Sequence, residues 1–220
     1  MDEDVIDLAA KNLNIVILGV QASGKGTQAE LLSKKLAVPH ISTGDMFREM
    51  ATSDSPLGKK LKEFMNSGQL VPDSIVNDIL AERFKRPDVV NGFVLDGYPR
   101  TIAQADLLEK QKKIGRSILV DIGDEEAVRR ITSRRICSQC KASFNTIYIK
   151  PKKEGICDKC GGKLVMREDD RPEAARKRLN DYHHLTEPVI KFYENKGVLL
   201  RINGEQPIEK VFNDIVEKMR

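Results

Sequence analysis

Apolar residues occur along the chain in two kinds of segment that alternate with each other. In one kind they form short continuous runs, as in a buried strand, and in the other they recur every three or four positions, as on one face of a helix. Strands are predicted at 13–18, 38–41, 92–97, 117–121 and 198–202. Helices are predicted at 28–36, 46–50, 56–65, 74–84, 101–112 and 124–135, from about Pro172 onward and at the C-terminus. This alternation predicts an α/β fold whose parallel sheet has helices on both faces.

The alternation stops between Ile136 and Met166, where all four cysteines of the chain lie. Their spacing is Cys137-x2-Cys140-x16-Cys157-x2-Cys160, which is two pairs at the separation typical of tetrahedral zinc sites. Four thiolates leave no open coordination position, so the spacing predicts a structural Zn²⁺ that stiffens an insertion too small to form its own core. Free or redox-active cysteines are the alternative.

A turn rich in small residues joins the first predicted strand to the first predicted helix. It runs Gly19-Val20-Gln21-Ala22-Ser23-Gly24-Lys25-Gly26-Thr27. A strand, a glycine-bearing turn and a helix N-terminus in this order point backbone N–H groups and the helix dipole at an anion, and Lys25 adds charge. Gly26 separates Lys25 from Thr27, so the match to the usual phosphate-binding pattern is imperfect. The alternative is a chance turn without a ligand.

Composition and charge exclude several classes of protein. The chain has 40% hydrophobic and 32% charged residues, and no apolar run approaches the roughly 18 residues that a membrane span needs. The net charge of +4 does not by itself indicate nucleic acid. Residues 1–12 predict a short acidic helix or a frayed tail, and the acidic start differs from a secretory signal. We therefore expect a cytoplasmic protein with no membrane or nucleic-acid partner.

Arginines form a second pattern. Arg130 and Arg134 are four residues apart on one predicted helix, and Arg167 and Arg171 have the same separation. Like charges at this helical spacing repel each other by about 0.2–0.5 kcal/mol. An anion bound between them would remove the repulsion, so this pattern also indicates a phosphate ligand.

Three motifs together resemble one known family. They are Gly24-Lys25-Gly26-Thr27, Ser42-Thr43-Gly44-Asp45-Met46 and Asp96-Gly97-Tyr98-Pro99-Arg100-Thr101. In this order they resemble the adenylate kinases, in the form with a long, zinc-bearing lid, from about Leu13 to the C-terminus. The resemblance implies a P-loop three-layer fold with a five-stranded parallel sheet, a helical insert that binds the nucleoside monophosphate (NMP) and a zinc-bearing lid insert. The implied core is 1–41, 72–133 and 171–220, with the NMP-binding insert at 42–71 and the lid at 134–170.

The resemblance also implies a reaction and its ligands. A monomer would transfer the terminal phosphoryl group of MgATP to AMP, giving two ADP, with Mg²⁺ and structural Zn²⁺ as cofactors. The implied catalytic residues are Lys25, Asp96, Arg100, Arg130, Arg134, Arg167 and Arg178, with Asp96 and Thr27 near the magnesium ion. The implied ATP-binding residues are Ala22, Ser23, Gly24, Lys25, Gly26, Thr27, Arg130, Arg134, Ser143, Phe144 and Gln206. The implied AMP-binding residues are Thr43, Arg48, Gln69, Leu70, Val71, Gly97, Arg100, Gln104, Arg167 and Arg178. The three histidines of the chain have no implied role because the monophosphate is itself the nucleophile.

Two residues of the turn depart from the family pattern. The family usually has Pro and Gly where this chain has Gln21 and Ala22. A positive φ costs alanine on the order of 1 kcal/mol more than glycine. We therefore expect either a negative φ at Ala22 or an altered turnover.

Two alternative functions stay open at this stage. A related kinase could act on UMP, CMP or GMP, although Thr43 and Gln104 favour AMP. A non-enzymatic zinc ribbon could bind RNA through its arginines, although the insertion offers only Phe144 and Tyr148 for base stacking.

Overall fold

The structure is a computed structural model that describes residues 13–220, so the helix or tail predicted for residues 1–12 lies outside the described part. A five-stranded sheet of order β2-β3-β1-β4-β8 forms the centre, and all its neighbouring strands are parallel. The strands are β1 Asn14–Leu18, β2 His40–Ser42, β3 Phe93–Asp96, β4 Arg116–Asp121 and β8 Leu199–Asn203. The predicted α/β fold with a five-stranded parallel sheet is therefore confirmed.

Helices cover both faces of this sheet, as the alternation predicted. Those that flank the sheet or follow its strands are α1 Lys25–Leu36, α4 Asp73–Arg83, α5 Ile102–Gln111, α6 Asp124–Ser133, α7 Pro172–Asp181, α8 Glu187–Asn195 and α9 Ile208–Met219. Alternate residues of β1 serve the two faces: Ile15 and Ile17 pack in the cluster that includes α1 and α9, whereas Val16 and Leu18 pack in the cluster that includes α4, α5 and α8. This is the two-residue period of a strand that is buried on both sides.

Two short helices follow β2 and form one wall of the site described below. They are α2 Thr43–Met50 and α3 Pro56–Asn66. Ser42 caps α2, because its Oγ accepts a hydrogen bond from the Asp45 backbone N–H at 3.2 Å, and Ser55 caps α3 in the same way. Buried side chains, among them Phe47 and Leu61, anchor both helices to the main core.

The cysteine-bearing insertion forms a separate antiparallel sheet of order β6-β5-β7. Its strands are β5 Arg134–Cys137, β6 Ser143–Asn145 and β7 Leu164–Val165. A small core of Cys137, Phe144, Cys157 and Leu164 lies within it. Short 3₁₀ turns at Pro87–Val89 and Glu168–Asp170 complete the elements before α7.

The prediction that one helix carries Arg130 and Arg134 was wrong. Helix α6 ends at Ser133, and Arg134 begins β5, where it is paired with Asn145 of β6. The Asn145 side-chain amide donates to the Ser133 hydroxyl at 2.8 Å and to the Arg130 carbonyl at 3.2 Å. These bonds hold the end of α6 against β6, and the chain continues from Arg134 as a strand of the second sheet. The repulsion argued from helical spacing therefore does not apply to this pair.

The long helix predicted from Pro172 is also interrupted. A π-helical turn, Tyr182–Thr186, separates α7 from α8. Pro188 lies in the first turn of α8 and has no N–H for the carbonyl four residues earlier, which explains why regular α-helical bonding does not continue through this segment. Within residues 13–220, none of the helices combines the length and apolar character that crossing a lipid bilayer requires.

Candidate active site

The turn between β1 and α1 has the geometry of a phosphate cradle. Gly19 is tightly packed, since a Cβ there would lie 2.5 Å from the Val120 carbonyl oxygen. Gly24 has φ 95° and immediately precedes α1, so the first N–H groups of that helix face the turn. Ala22 has φ 62°, which excludes the first of the two expected alternatives, a negative φ, and leaves a strained alanine in the loop.

Lys25 and Asp96 lie next to this cradle. The Lys25 ammonium donates to the Val20 carbonyl at 3.0 Å. Burial, reinforced by the positive charges of neighbouring arginines and partly offset by Asp96, lowers the pKa of Lys25 to about 8. The site is therefore deficient in negative charge, and a bound phosphate would relieve this deficit.

The Asp96 carboxylate ends β3 and points at the start of α1. A Cβ on Gly26 would lie 3.2 Å from Asp96 Oδ2. The Nε2 atom of His40 is 3.7 Å from the same oxygen, while Oδ1 is buried and has no hydrogen-bond partner among the described residues. An unpartnered carboxylate oxygen beside a phosphate cradle fits a hydrated Mg²⁺ ion, whose water ligands donate hydrogen bonds.

A cleft of about 600 Å³ lies between α2, α3 and the end of β3. Its lining includes all ten residues predicted to bind AMP. Gln104 is 3% exposed, and its orientation is fixed because its Oε1 accepts from the Arg100 backbone N–H at 2.7 Å and its Nε2 donates to Asp73 at 2.6 Å. Thr43 is held by a 3.3 Å hydrogen bond to the Asp96 carbonyl.

A second cleft of about 510 Å³ is lined by Lys25 and the turn after β1. The two clefts share the wall residues Leu70, Gly97, Tyr98, Arg100 and Arg178. Two ligands bound in these clefts would therefore meet at Arg100 and Arg178. Among the described residues, neither cleft is lined by a histidine.

Arginines and aspartates form a network at this junction. Arg167 Nε donates to Asp169 at 2.8 Å, Arg178 donates to the Asp169 carbonyl at 2.8 Å, and Arg134 Nε donates to Asp170 at 2.8 Å. Burial would raise the pKa of Asp169, but Arg167 and Arg178 hold it well below its ordinary value. Both aspartates are therefore paired with arginines.

Uncompensated positive charge remains in the clefts despite these pairs. Burial lowers the pKa of Arg100, and burial together with the facing Arg167 lowers the pKa of Arg48. Burial also lowers the pKa of Arg178 to about 9, and the nearby Arg167 adds to the effect. Buried guanidinium groups that face one another favour a bound anion such as phosphate.

Arg130 is held as a flat platform beside the turn. Its Nε donates to Glu126 at 2.6 Å, and its two terminal nitrogens donate to the carbonyls of Ser23 at 3.1 Å and Gly204 at 3.0 Å. The ring of Tyr148, which is 48% exposed, lies over the guanidinium with its centroid 5.1 Å away. The hydrogen bond to Ser23 places this platform beside the turn after β1, although neither Arg130 nor Tyr148 is among the residues that line the second cleft.

The other residues predicted for ATP differ in their exposure to solvent. Ser143 is exposed, whereas the side chain of Phe144 is buried in the small core beside Cys137. The side chain of Gln206 donates to the Asn203 carbonyl and to the Asp214 carboxylate, each at 2.9 Å. Their roles in binding stay predictions.

The four cysteines form one cluster. Their sulfur atoms all lie within 4.8 Å of one another, with Cys137 to Cys160 at 3.4 Å and Cys140 to Cys157 at 3.5 Å. Four sulfurs about 2.3 Å from a tetrahedral zinc ion would be about 3.8 Å apart, so the cluster could hold such a metal. Both pairs lie on matching turns, in which the N–H groups of Lys141 and Gly161 donate to the first cysteine's carbonyl.

Known proteins resemble this chain over most of its length. A family model described as adenylate kinase matches residues 17–198. The chain belongs to the adenylate kinase family. It is 47% identical over 212 residues to an adenylate kinase of Caldicellulosiruptor saccharolyticus, an alignment that covers 94% of this chain and 99% of that protein. It is also 47% identical over 208 residues to an adenylate kinase of Archaeoglobus fulgidus, with 92% and 96% covered. Membership makes the protein a nucleoside monophosphate kinase, and the non-enzymatic RNA-binding ribbon is no longer an explanation of the chain.

Several residues that contact the predicted site were not predicted from the sequence. Glu126 could have been found, because an acid four positions before Arg130 on a helix predicts an ion pair. Tyr148 was considered only for base stacking in RNA, and Asp73 gave no signal because it is 31 residues from its partner Gln104. Gln21 was noted only as a departure from the family pattern.

Proposed function

We propose that the protein transfers the terminal phosphoryl group of MgATP to AMP and produces two ADP. One observation carries the proposal: the two clefts adjoin at Arg100 and Arg178, and the cradle with Lys25 lines one while the ten residues predicted for AMP line the other. In the reaction an AMP phosphate oxygen bonds to the γ-phosphorus of ATP as the bond from that phosphorus to the bridging oxygen breaks. ADP then leaves with both electrons of that bond.

The chain's own residues position the two nucleotides and balance their charge. Lys25 and the N–H groups at the start of α1 bind the ATP phosphates, and Arg130 and Arg134 bind the same nucleotide. Arg48 and Arg100 bind the AMP phosphate. No side chain needs to remove a proton, because a phosphate monoester has a second pKa near 6 and is largely dianionic at neutral pH.

Arg167 and Arg178 are proposed to contact the phosphoryl group in transit. They now bind Asp169, so the guanidinium groups are already oriented before a ligand arrives. Guanidinium groups suit this role because they present paired N–H donors to phosphate oxygens. Transition-state stabilisation by such preorganised donors accounts for much of the rate enhancement in enzymes.

Two metals are part of the proposal. Asp96 and Thr27 would hold the water shell of Mg²⁺, which when bound would neutralise charge on the ATP phosphates. Cys137, Cys140, Cys157 and Cys160 would hold Zn²⁺ with no open position, so that metal would stabilise the insertion. Zinc content measured by mass spectrometry on purified protein tests the second assignment, with one zinc per chain expected.

The boundaries and setting of the protein are further proposals. We assign 42–71 to AMP binding and 134–170 to a lid, with the remaining residues as the core. Both clefts are lined by residues of one chain, which supports a monomer. Four arginines of the site, Arg48, Arg100, Arg167 and Arg178, line these clefts, which supports nucleotides as partners rather than nucleic acid or membrane. Free cysteines in a metal-binding arrangement suit a reducing compartment, which supports the cytoplasm.

The choice of acceptor is open to a direct experiment. ADP formation from MgATP is measured with AMP, GMP, CMP and UMP in turn. Activity with AMP alone is expected, because the fixed amide of Gln104 leaves buried polar groups unpaired when a different base binds. Higher activity with another monophosphate would make that nucleotide, rather than AMP, the acceptor. No activity with any of the four would overturn the proposal.

A further inference from the structure

Gln21 links the turn after β1 to α7. Its side-chain Nε2 donates to the backbone carbonyl of Arg178 at 3.0 Å, across 157 positions of sequence. The amide orientation is fixed by chemistry, because a carbonyl oxygen can only accept and the NH₂ group must therefore face it. The other atom of the amide, Oε1, is buried and has no partner among the described residues.

The carbonyl that Gln21 binds lies where regular helical bonding ends. The Tyr182 N–H donates to the carbonyls of both Arg178 and Leu179, and the π-helical turn begins at Tyr182. Backbone at such a junction is less constrained by its own helix than backbone in the middle of α7. A contact from outside the helix therefore has a large effect on where Arg178 is placed.

The two residues joined by this hydrogen bond, Gln21 and Arg178, both line the second cleft. Lys25 also lines the second cleft, and Arg178 lines both clefts. We propose that Gln21 is a positioning residue that holds Arg178 at a fixed distance from Lys25. This inference rests on the proposed function, because Arg178 is there assigned to the phosphoryl group in transit.

The chain contains a matched control for this contact. The Nε2 atom of Gln28 also donates to a distant backbone carbonyl, that of Ile208, at 3.0 Å, and its Oε1 is likewise buried without a partner among residues 13–220. Gln28 lines neither cleft. Gln21→Leu and Gln28→Leu therefore remove the same kind of hydrogen bond at a site of proposed positioning and at a site of packing alone.

The expected results differ between the two variants. Gln21→Leu should lower kcat about two- to tenfold, the range expected for one hydrogen bond, and leave KM for ATP and AMP within about twofold. Its melting temperature should stay close to that of the wild type, because Arg178 O keeps the Tyr182 N–H as a donor. Gln28→Leu should leave kcat unchanged. An unchanged kcat for Gln21→Leu, or an equal fall in both variants, would overturn the inference.

A double-variant experiment tests whether the effect acts through Arg178. In an Arg178→Ala background, Gln21→Leu should cause no further loss of kcat, whereas in an Arg48→Ala background the two losses should multiply. Multiplication in both backgrounds would show that Gln21 acts independently of Arg178.

The inference stays testable if the proposed function fails. A wild-type protein without AMP-dependent turnover would refute that function, and the same cycle would then be measured by calorimetry as the affinity for ADP with aluminium fluoride, which mimics a phosphoryl group in transit. A loss of affinity in Gln21→Leu that disappears in the Arg178→Ala background would still support the inference. A loss that persists there, or no loss at all, would overturn it.

Discussion

Replacing Lys25 by methionine is expected to make the empty protein more stable while removing most of its activity. The Lys25 ammonium is half-buried among Arg100, Arg134 and Arg178, and its pKa is lowered from 10.5 to about 8. Methionine has a similar length, bears no charge and packs well in irregular spaces. The hydrogen bond lost to the Val20 carbonyl leaves no unpaired group, because that oxygen also accepts from the Ser23 N–H at 3.2 Å.

The size of the gain follows from the change in pKa. A lowering from 10.5 to about 8 corresponds to about 3 kcal/mol of free energy of unfolding, at 1.36 kcal/mol per pH unit. Water reaches part of the side chain and screens its charge, so we expect a gain of about 2 kcal/mol at pH 7. For a chain of this size that raises the melting temperature by about 4–8 °C. Turnover should fall at least a hundredfold, since a charge aimed at the phosphates is removed.

The dependence on pH identifies the cause. The folded protein binds the Lys25 proton less tightly than the unfolded chain, so the charge destabilises the fold fully below about pH 8. As the pH rises from 8 towards 10.5, the folded form loses the proton and the wild type recovers this stability relative to the variant. Urea unfolding of ligand-free wild type and Lys25→Met at pH 7, 8, 9 and 10 measures the difference. A variant no more stable than the wild type at pH 7, or a difference that does not shrink with pH, would refute the reasoning.

Three further predictions test other parts of the site. Tyr148→Ala should raise KM for ATP about two- to fivefold without changing KM for AMP, because the cation–π contact with Arg130, which is proposed to bind ATP, is lost. Tyr148→Phe should behave like the wild type, and an equal rise in KM for AMP would argue against this role. Ala22→Gly and its control Ala37→Gly should each raise the melting temperature by about 1–3 °C, because each relieves a positive φ, and only Ala22→Gly should change turnover. A loss of stability in both variants would contradict the strain argument. Cys137→Ser should lower zinc content and the melting temperature, with faster amide hydrogen exchange confined to 134–170, and full zinc content with unchanged melting would remove the four-thiolate site.

The parts of the molecule that depend on local pattern were predictable. The apolar run at 13–18 predicts a buried strand, and the glycines that follow it predict where that strand ends in a turn, because few other residues adopt the backbone conformations of such a turn. The cysteine pairs likewise bring their own local turns, which is why their spacing alone predicted a cluster. The ten residues predicted for AMP lie in one cleft because the resemblance located them by motif.

The parts that depend on contacts between distant segments were not predictable. Residue spacing placed Arg134 on a helix, but pairing with Asn145 places it in a strand, and no pattern within 124–135 reports on that partner. The π-helical turn follows from Pro188 together with the packing of α7 and α8, and only the proline is visible in the sequence. The hydrogen bond from Gln21 to Arg178 spans 157 positions and is invisible to any local rule.

The pairing of arginines with aspartates at the junction of the clefts changes what an arriving nucleotide encounters. The network has a net charge of +1 rather than +3, because two aspartates, Asp169 and Asp170, are paired with three arginines, Arg134, Arg167 and Arg178. An arriving phosphate therefore meets guanidinium groups whose orientation is already fixed and whose charge is already partly neutralised by carboxylates. Nucleotide affinity should accordingly depend on salt less steeply than the number of arginines suggests. For the same reason, the junction should attract polyanions other than its nucleotides only weakly.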